Sequence, residues 1–456
     1  MAAVLIFKSD DDWAQEVKIV KRKSTVKHLD SKKKYVLLKL NILEILNYEI
    51  FIAKRIIGSK KHKNSVSSPI IKISILAIAI GIIVMLFSIA TGVGLQRKIK
   101  EKISGFNGDI QITNYDTNNS SITVNPIDLH QDFYPAFKDI PNVKSVQPFA
   151  TIGGIIRTAK EFEGVILKGV DQNYDWSFFN EYLVAGKTPD YSEQISSEVL
   201  ISDKTSRRLD LKVGDDFHMF FVKDNPNKIP NSRKFHVLGI FNSGFEEFDE
   251  KYLIGDIRHI QRINKWDEDQ IGGFEVYTHN FDDLKITGFE IYGAIDPTLN
   301  ALTIAEKFPG IFEWLNLFDT NIAVIIGIMI LIAGINMITA LLVLILERTQ
   351  MIGILKALGN NNTSIRKIFL YNAAYLIGKG LLWGNIIGIG MLLIQKYFGL
   401  ISLDPETYYV SQIPVYLNIK YIVMINLGTL ILCFLMLIIP SVIVSKISPV
   451  KAIKFE

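Results

Sequence analysis

The sequence predicts an α-helical membrane domain of four transmembrane helices, with a large α+β domain inserted between the first helix and the second. Three observations predict it. Apolar residues make up 49% of the 456-residue chain. About a third of them gather in four runs, each longer than the roughly 20 residues that a helix needs to cross a hydrocarbon core. Between the first and second runs lies a long stretch where apolar residues instead alternate or cluster in short strand-like groups.

Taken in order, residues 1–46 form a Lys-rich extension with an acidic run at Asp10–Asp12. This reads either as a cytoplasmic extension or as a start site placed too early, and the second reading is preferred. The AAVLIF stretch is too short for a signal-peptide core, so no cleaved signal is expected. Residues 47–69 read as an amphipathic cytoplasmic segment. The first span covers 70–95, with Lys72 as an early charge. The inserted domain, 96–320, opens with a helical continuation, QRKIKEKISGF, that lifts the span out of the membrane. The segments GDIQITNY and VKSVQPFATIGGIIRT then read as strands, with a helix predicted around His130–Lys138 between them. FEGVILKGVD is another strand. SEVLISDKTSRRLDLKVGDDFHMFFV reads as strand, short helix, turn at Gly214-Asp215, and strand. A polar tip, KDNPNKIPNSR, leads to a returning strand, KFHVLGIF. The last third reads β-α-β and completes a sheet begun by the first third, with the middle block inserted.

The second span, 321–346, carries no charge. The loop 347–367 follows, then the third span, 368–394, with Lys379 inside it. A short loop, 395–420, precedes the fourth span, 421–444, and a tail, 445–456. Basic residues decide orientation. Lys54, Arg55, Lys60, Lys61 and Lys63 precede the first span, Arg348, Lys356, Arg366 and Lys367 lie between spans two and three, and Lys446, Lys451 and Lys454 close the chain. Both termini are therefore expected in the cytoplasm. Arg97, Lys98, Lys100 and Lys102 stand on the opposite side, where long translocated domains escape the rule.

Several classes are excluded. The net charge of +4 comes from basic residues beside apolar runs, which disfavours nucleic acid as a partner. One cysteine, Cys433, permits neither a disulfide framework nor a thiolate metal site within one chain. His218 and His236 flank a predicted hairpin and face each other without an evident third ligand, so no metal site is assigned. There is no phosphate-binding G-x-x-x-x-G-K-[ST], no G-x-S-x-G and no H-E-x-x-H. The chain is expected to be no enzyme by itself and to hold no cofactor.

Within the loop 347–367, Met351, Ile354, Leu355 and Leu358 recur at i, i+3, i+4 and i+7 and share one helical face. Glu347 suits the helix start, Gly359-Asn360 suits its end, and Thr363 is placed to cap the next helix. This short helix is either interfacial, lying on lipid, or a knob for a soluble partner. Lys379 either faces the bundle interior near Asn385, contacts a lipid phosphate, or snorkels along a tilted helix. Gly81, Ser88, Thr91 and Gly92 point to close helix approach.

The segments ER…MIGILKALG…SIRKIFL and KISPVKAIKFE, with the Gly-rich span between them, resemble the FtsX-like (MacB-type) permease family of ABC transporters. NYEIFIAKRI, VLGIFNSGFEEFD and YYVSQIPVYL are similar to its LolC/LolE lipoprotein-releasing branch. The resemblance covers Asn47 to Glu456. It implies a permease subunit of the bacterial inner membrane that extracts lipoproteins and passes them to a periplasmic chaperone. A LolD-like cytoplasmic ABC ATPase would bind ATP-Mg, and a second permease subunit would complete a homo- or heterodimer. Glu347, Arg348, Met351, Ile354, Leu355, Lys356, Leu358 and Gly359 would form the coupling helix in the ATPase groove. The inserted domain would match the family's periplasmic Porter and Sabre parts. Its tip, with Lys223, Asn227, Ile229, Pro230 and Arg233, would contact a LolA-like chaperone, although it is shorter than the family's hook. An apolar cleft between the outer halves of spans one and two is expected to shield acyl chains, with Met85, Phe87, Ile89 and Val93 facing Ile322, Ile325 and Ile326. The alternatives are a MacB-like drug or peptide exporter and an FtsX-like scaffold that activates a cell-wall hydrolase. The size of the inserted domain argues against the scaffold.

Overall fold

The computed structural model describes residues 48–56, 67–116, 124–158, 161–192, 194–221 and 230–448. The chain divides into two compact units. One comprises Met1–Ala90, Asn321–Ile394 and Leu417–Glu456, and the other Thr91–Thr320 and Gln395–Tyr416. Three of the predicted tip residues, Lys223, Asn227 and Ile229, lie outside the described residues.

Four helices are long and apolar enough to cross a membrane: Pro69–Asn107, Pro309–Glu347, Asn362–Phe398 and Ile419–Lys446. The first two have 39 residues each. At about 1.5 Å per residue they are roughly twice as long as the hydrocarbon core is thick. Their surplus turns, rich in charge and aromatic rings, belong to the second unit.

In the membrane unit, close approach rests on the third span. Gly380, Gly384 and Gly388, spaced by four, meet the first span at Ile78, Ile82 and Leu86. A Cβ at Gly380 would lie 2.7 Å from the Ile78 Cβ, and one at Gly384 2.8 Å from the Ile82 Cβ. Only a missing side chain admits this packing, which replaces the hydrophobic drive that lipid does not supply. Spans three and four are joined by reciprocal amides: Asn385 Nδ2 donates to Asn426 Oδ1 at 2.7 Å, and Asn426 Nδ2 donates to Asn385 Oδ1 at 3.0 Å. Spans one and two touch where Ser74 Oγ donates to the Asn336 carbonyl at 3.4 Å.

The second unit is built on strands β1 (Ile110–Asn114), β2 (Ile127–Asp128), β3 (Val143–Arg157), β4 (Phe162–Val170), β5 (Leu183–Gly186), β6 (Glu198–Ser202), β7 (Asp216–Phe221), β8 (Asn231–Phe241), β9 (Tyr252–Asp256), β10 (Gln270–Ile271), β11 (Gly273–Thr278) and β12 (Leu299–Thr303). The main sheet runs β12-β1-β11-β3-β4-β9-β6-β8-β5, and β7 pairs with both β3 and β8. The last third of the domain thus returns to β1 and β3. The middle block extends the same sheet, since β4 pairs with β9 in parallel.

Local rules explain most of these elements. Ser202 caps the helix Asp203–Leu209 by accepting from the Thr205 amide at 3.0 Å. The β-α-β reading of the last third is met by β11, the helix Leu284–Ala294 and β12. The helix predicted around His130–Lys138 is absent, and that stretch is irregular. Pro135 in its middle lacks an N–H and restricts Tyr134, which breaks the ladder a helix would need. Its apolar residues are used all the same: Phe133 and Phe137 stack at 4.8 Å.

Candidate functional site

The loop between spans two and three is a built platform. The second-span helix runs through Glu347, Arg348 interrupts it, and a helix of nine residues follows, Thr349–Ala357. Gly359 ends it with φ +85, a left-handed conformation that glycine adopts freely. The Asn360 N–H donates to the Leu355 carbonyl and the Gly359 N–H to the Lys356 carbonyl, both at 3.0 Å, which is the Schellman arrangement. The next helix is capped by Asn361 rather than Thr363: its Oδ1 accepts from the Thr363 amide at 2.8 Å.

Two flanking segments hold this helix. Lys356 Nζ donates to the carbonyls of Val444 at 2.8 Å, Ser445 at 3.2 Å and Ile447 at 2.8 Å. A lysine there satisfies the free carbonyls at the end of the last span. Burial pushes the Lys356 ammonium below its ordinary value, and Arg366 adds to the shift. Arg366 also donates to Ser445 Oγ. From the other side, the helix 48–56 offers Glu49, whose Oε1 accepts from Ser364 Oγ at 2.8 Å. Its Ala53 and Ile56 pack with Ile368, and Met351 and Leu355 pack against that cluster.

The predicted stripe therefore splits. Met351 and Leu355 face their own chain, while Ile354 and Leu358 are 47% and 46% exposed. Gln350, Ala357 and Gly359 share the exposed side with them, as does Glu347 just before the helix. The residues buried on the helix are Ile352 and Gly353.

The other predicted residues are placed as follows. Met85 is fully buried, whereas Phe87, Ile89, Ile322, Ile325 and Ile326 are half-buried within the membrane unit. Val93 is half-buried in the second unit. Lys379 is exposed, with its ammonium 4.6 Å from the Tyr375 ring centre, one turn back along the span. It does not turn inward to Asn385, whose amide is taken by Asn426. Pro230 is exposed, and Arg233 lies on β8 opposite Met219. His218 and His236 do not face each other: the register sets His218 against Lys234 and His236 against Asp216. Among the described residues, no cluster of three His, Cys, Asp or Glu could hold a metal.

The basic cluster after the first span has a structural explanation that the sequence did not offer. Arg97 lies 4.1 Å from the Tyr416 ring centre, and Lys98 is 2.7 Å from Glu181. Lys102 donates to the Tyr409 carbonyl at 3.0 Å, and Gln96 Nε2 donates to the Leu315 carbonyl at 2.8 Å. All of these partners lie within the second unit, so the cluster fastens the surplus turns of the first helix into that domain.

Residues 323–449 match the FtsX-like permease C-terminal model, and residues 73–287 match the MacB-like periplasmic core domain. The chain is 20% identical over 409 residues to the lipoprotein-releasing system transmembrane protein LolC of Xylella fastidiosa (strain Temecula1 / ATCC 700964), covering 87% of this chain and 96% of that protein. It is 20% identical to LolE of Haemophilus influenzae, covering 86% and 96%. It is 21% identical to the uncharacterized ABC transporter permease YknZ of Bacillus subtilis, covering 70% and 80%. Among solved structures, the periplasmic region of MacB from Actinobacillus actinomycetemcomitans aligns with a TM-score of 0.31 and 15% identity, covering 47% of this chain and 98% of that one.

Proposed function

We propose that this ABC-type permease, a multi-pass membrane protein with an FtsX-like C-terminal domain and a MacB-like periplasmic core domain, extracts lipoproteins from the bacterial inner membrane and passes them to a periplasmic chaperone. The reading places both termini in the cytoplasm and assigns ATP hydrolysis to a partner ATPase. One observation carries it. Ile354 and Leu358 stand exposed on a short helix that is held by Lys356 on the chain's end and by the packing of Met351 and Leu355 on the helix 48–56, and is joined to spans two and three. A helix that merely lay on lipid would not need that bracing, whereas a helix that receives a push does. The similarity to LolC and LolE supports lipoproteins as the cargo.

The energetics fit such a task. Taking an acyl chain out of a bilayer costs about 0.8 kcal/mol per CH₂. A multiply acylated protein therefore needs shielding along its route. The half-buried Phe87 and Ile89 of span one and Ile322, Ile325 and Ile326 of span two are the apolar surface proposed for it. Met85 packs inward and is left out of that surface. At the other end, the segment leading into Pro230 and Arg233 would meet the chaperone.

The test is release of a lipidated substrate from spheroplasts, with a non-acylated version as control. Release of the lipidated form alone is expected, and Ile322→Arg should block it, because a charge in an apolar cleft is costly. Equal release of the control, or export of a small drug by the purified complex, would replace this reading with that of an exporter.

A further inference from the structure

The inserted domain contains a cavity of about 400 Å³, within the size range of small-ligand sites. It lies between the end of the first-span helix, the strands β1, β3, β4 and β11, and the corner after β12. All its walls belong to the second unit, and the transport reading uses none of them.

Its floor is a buried ion pair. Lys168 Nζ lies 2.8 Å from Glu275 Oε1 and 2.9 Å from Oε2, with side chains only 3% and 1% exposed. Lys168 also donates to the Phe106 carbonyl. Glu275 accepts further from Gln111 Nε2 at 3.3 Å and from the Tyr277 hydroxyl at 3.4 Å. This pair is neutral and well satisfied.

Lys307 is different. Its ammonium donates to Gln111 Oε1, a neutral amide oxygen. Among the described residues, no carboxylate lies within 4.0 Å of it. Burial lowers it to about 8, with Glu275 opposing the shift and Lys168 adding to it. The carboxylates nearer the mouth have other work. Glu306 closes a capping box with Thr303, accepting from its amide at 2.9 Å and its hydroxyl at 2.8 Å. Asp116 accepts from Asn125 at 2.6 Å. The buried pair and Lys307 together carry one surplus positive charge, while the carboxylates Asp116 and Glu306 line the exposed side of the cavity. Buried ion pairs seldom repay their desolvation in stability alone. A hollow that keeps one, and adds a second lysine with no carboxylate within 4.0 Å among the described residues, offers an anion a place beside that lysine.

We propose that this cavity binds a small organic monocarboxylate. Its carboxylate would sit against the Lys307 ammonium, and its apolar part against the rings of Phe106, Phe149, Tyr252 and Phe308. A single negative charge matches the local surplus at Lys307, and the rim carboxylates Asp116 and Glu306 would disfavour a phosphate dianion more strongly. The aromatic walls suit a hydrocarbon body rather than a bare ion.

The test is calorimetric titration of the full chain in lipid nanodiscs with benzoate, inorganic phosphate and benzylamine. Benzoate should bind once per chain and benzylamine not at all. Lys307→Met should weaken benzoate by about tenfold or more, while Lys307→Arg should keep it within about threefold. Thr113→Leu, which fills space without changing charge, should weaken it as well. The proposal is overturned if benzoate does not bind the wild-type chain, if it binds all variants equally, or if phosphate binds in preference.

Discussion

The short helix between spans two and three and the cavity of the inserted domain use lysine in opposite ways. On the helix, Lys356 gives its ammonium to three backbone carbonyls, and the apolar side chains Ile354 and Leu358 are left facing outward. In the cavity, Lys168 is enclosed with its own carboxylate, and aromatic rings face inward. Charge fixes a backbone in the first case so that an apolar surface can be presented. In the second, protein surrounds charge so that a polar hollow survives. The first arrangement suits a macromolecular partner and the second a small one.

The contrast can be broken at its deepest point first. Glu275→Leu leaves Lys168 buried without its partner and should cost about 3–5 kcal/mol. The double change Lys168→Met with Glu275→Leu should recover most of that loss in a thermal melt. If the double variant is no better than the single one, Lys168 and Glu275 do not act as a unit. Next, Leu355→Asp forces a carboxylate into the packing with Ala53, Ile56 and Ile368 and should destabilise by on the order of 3 kcal/mol. Its effect on transport would then follow from misfolding, to be read as a lowered melting temperature.

Lys356→Met should cost about 1–2 kcal/mol by leaving carbonyls unmet. Faster amide exchange in the turn Ile443–Lys446 would report it, and unchanged exchange would contradict the bracing. A further effect concerns pH. Because burial lowers Lys307 from its ordinary value of 10.5 to about 8, the unfolded chain holds more protons between those values. Stability of the inserted domain should therefore rise as pH climbs through that window. The rise should shrink in Lys307→Met, with Lys168, lowered in the same direction, supplying what remains. Least of all should Ile354→Asp alter folding, by within about 0.5 kcal/mol, because the site is exposed. Yet it should abolish stimulation of the partner ATPase. Normal stimulation by a folded Ile354→Asp complex would remove this helix from the coupling role.

The two regions also differ in how far the sequence disclosed them. The spans were legible because apolar runs of that length have few other uses. The short helix was legible as a helix, since its stripe, its glycine stop and its neighbours are contiguous. Which side faces out was not, because the helix 48–56 takes up Met351 and Leu355, and a stripe does not say what covers it. The Gly380, Gly384, Gly388 spacing is present in the sequence, but small residues recur on the first span too, at Gly81, Ser88, Thr91 and Gly92, and spacing alone does not say which set makes the contact. The cavity gave no linear signal at all. Gln111, Lys168, Glu275 and Lys307 come from separate strands and a corner, and only the sheet order brings them together. The basic run after the first span looked like an exception to a membrane rule, and is instead a set of tertiary contacts.

One feature of the membrane unit bears on how relatives of this chain can vary. The amides of Asn385 and Asn426 satisfy each other, and each also donates to the carbonyl four residues back, Leu381 and Ile422, at 2.7 Å. Replacing either one by leucine leaves the other's oxygen without a donor inside hydrocarbon. Replacing both leaves nothing to satisfy. Drift at these two positions is therefore a paired event: lineages should hold two amides or two apolar side chains, and a lone asparagine should be a short-lived intermediate between those states.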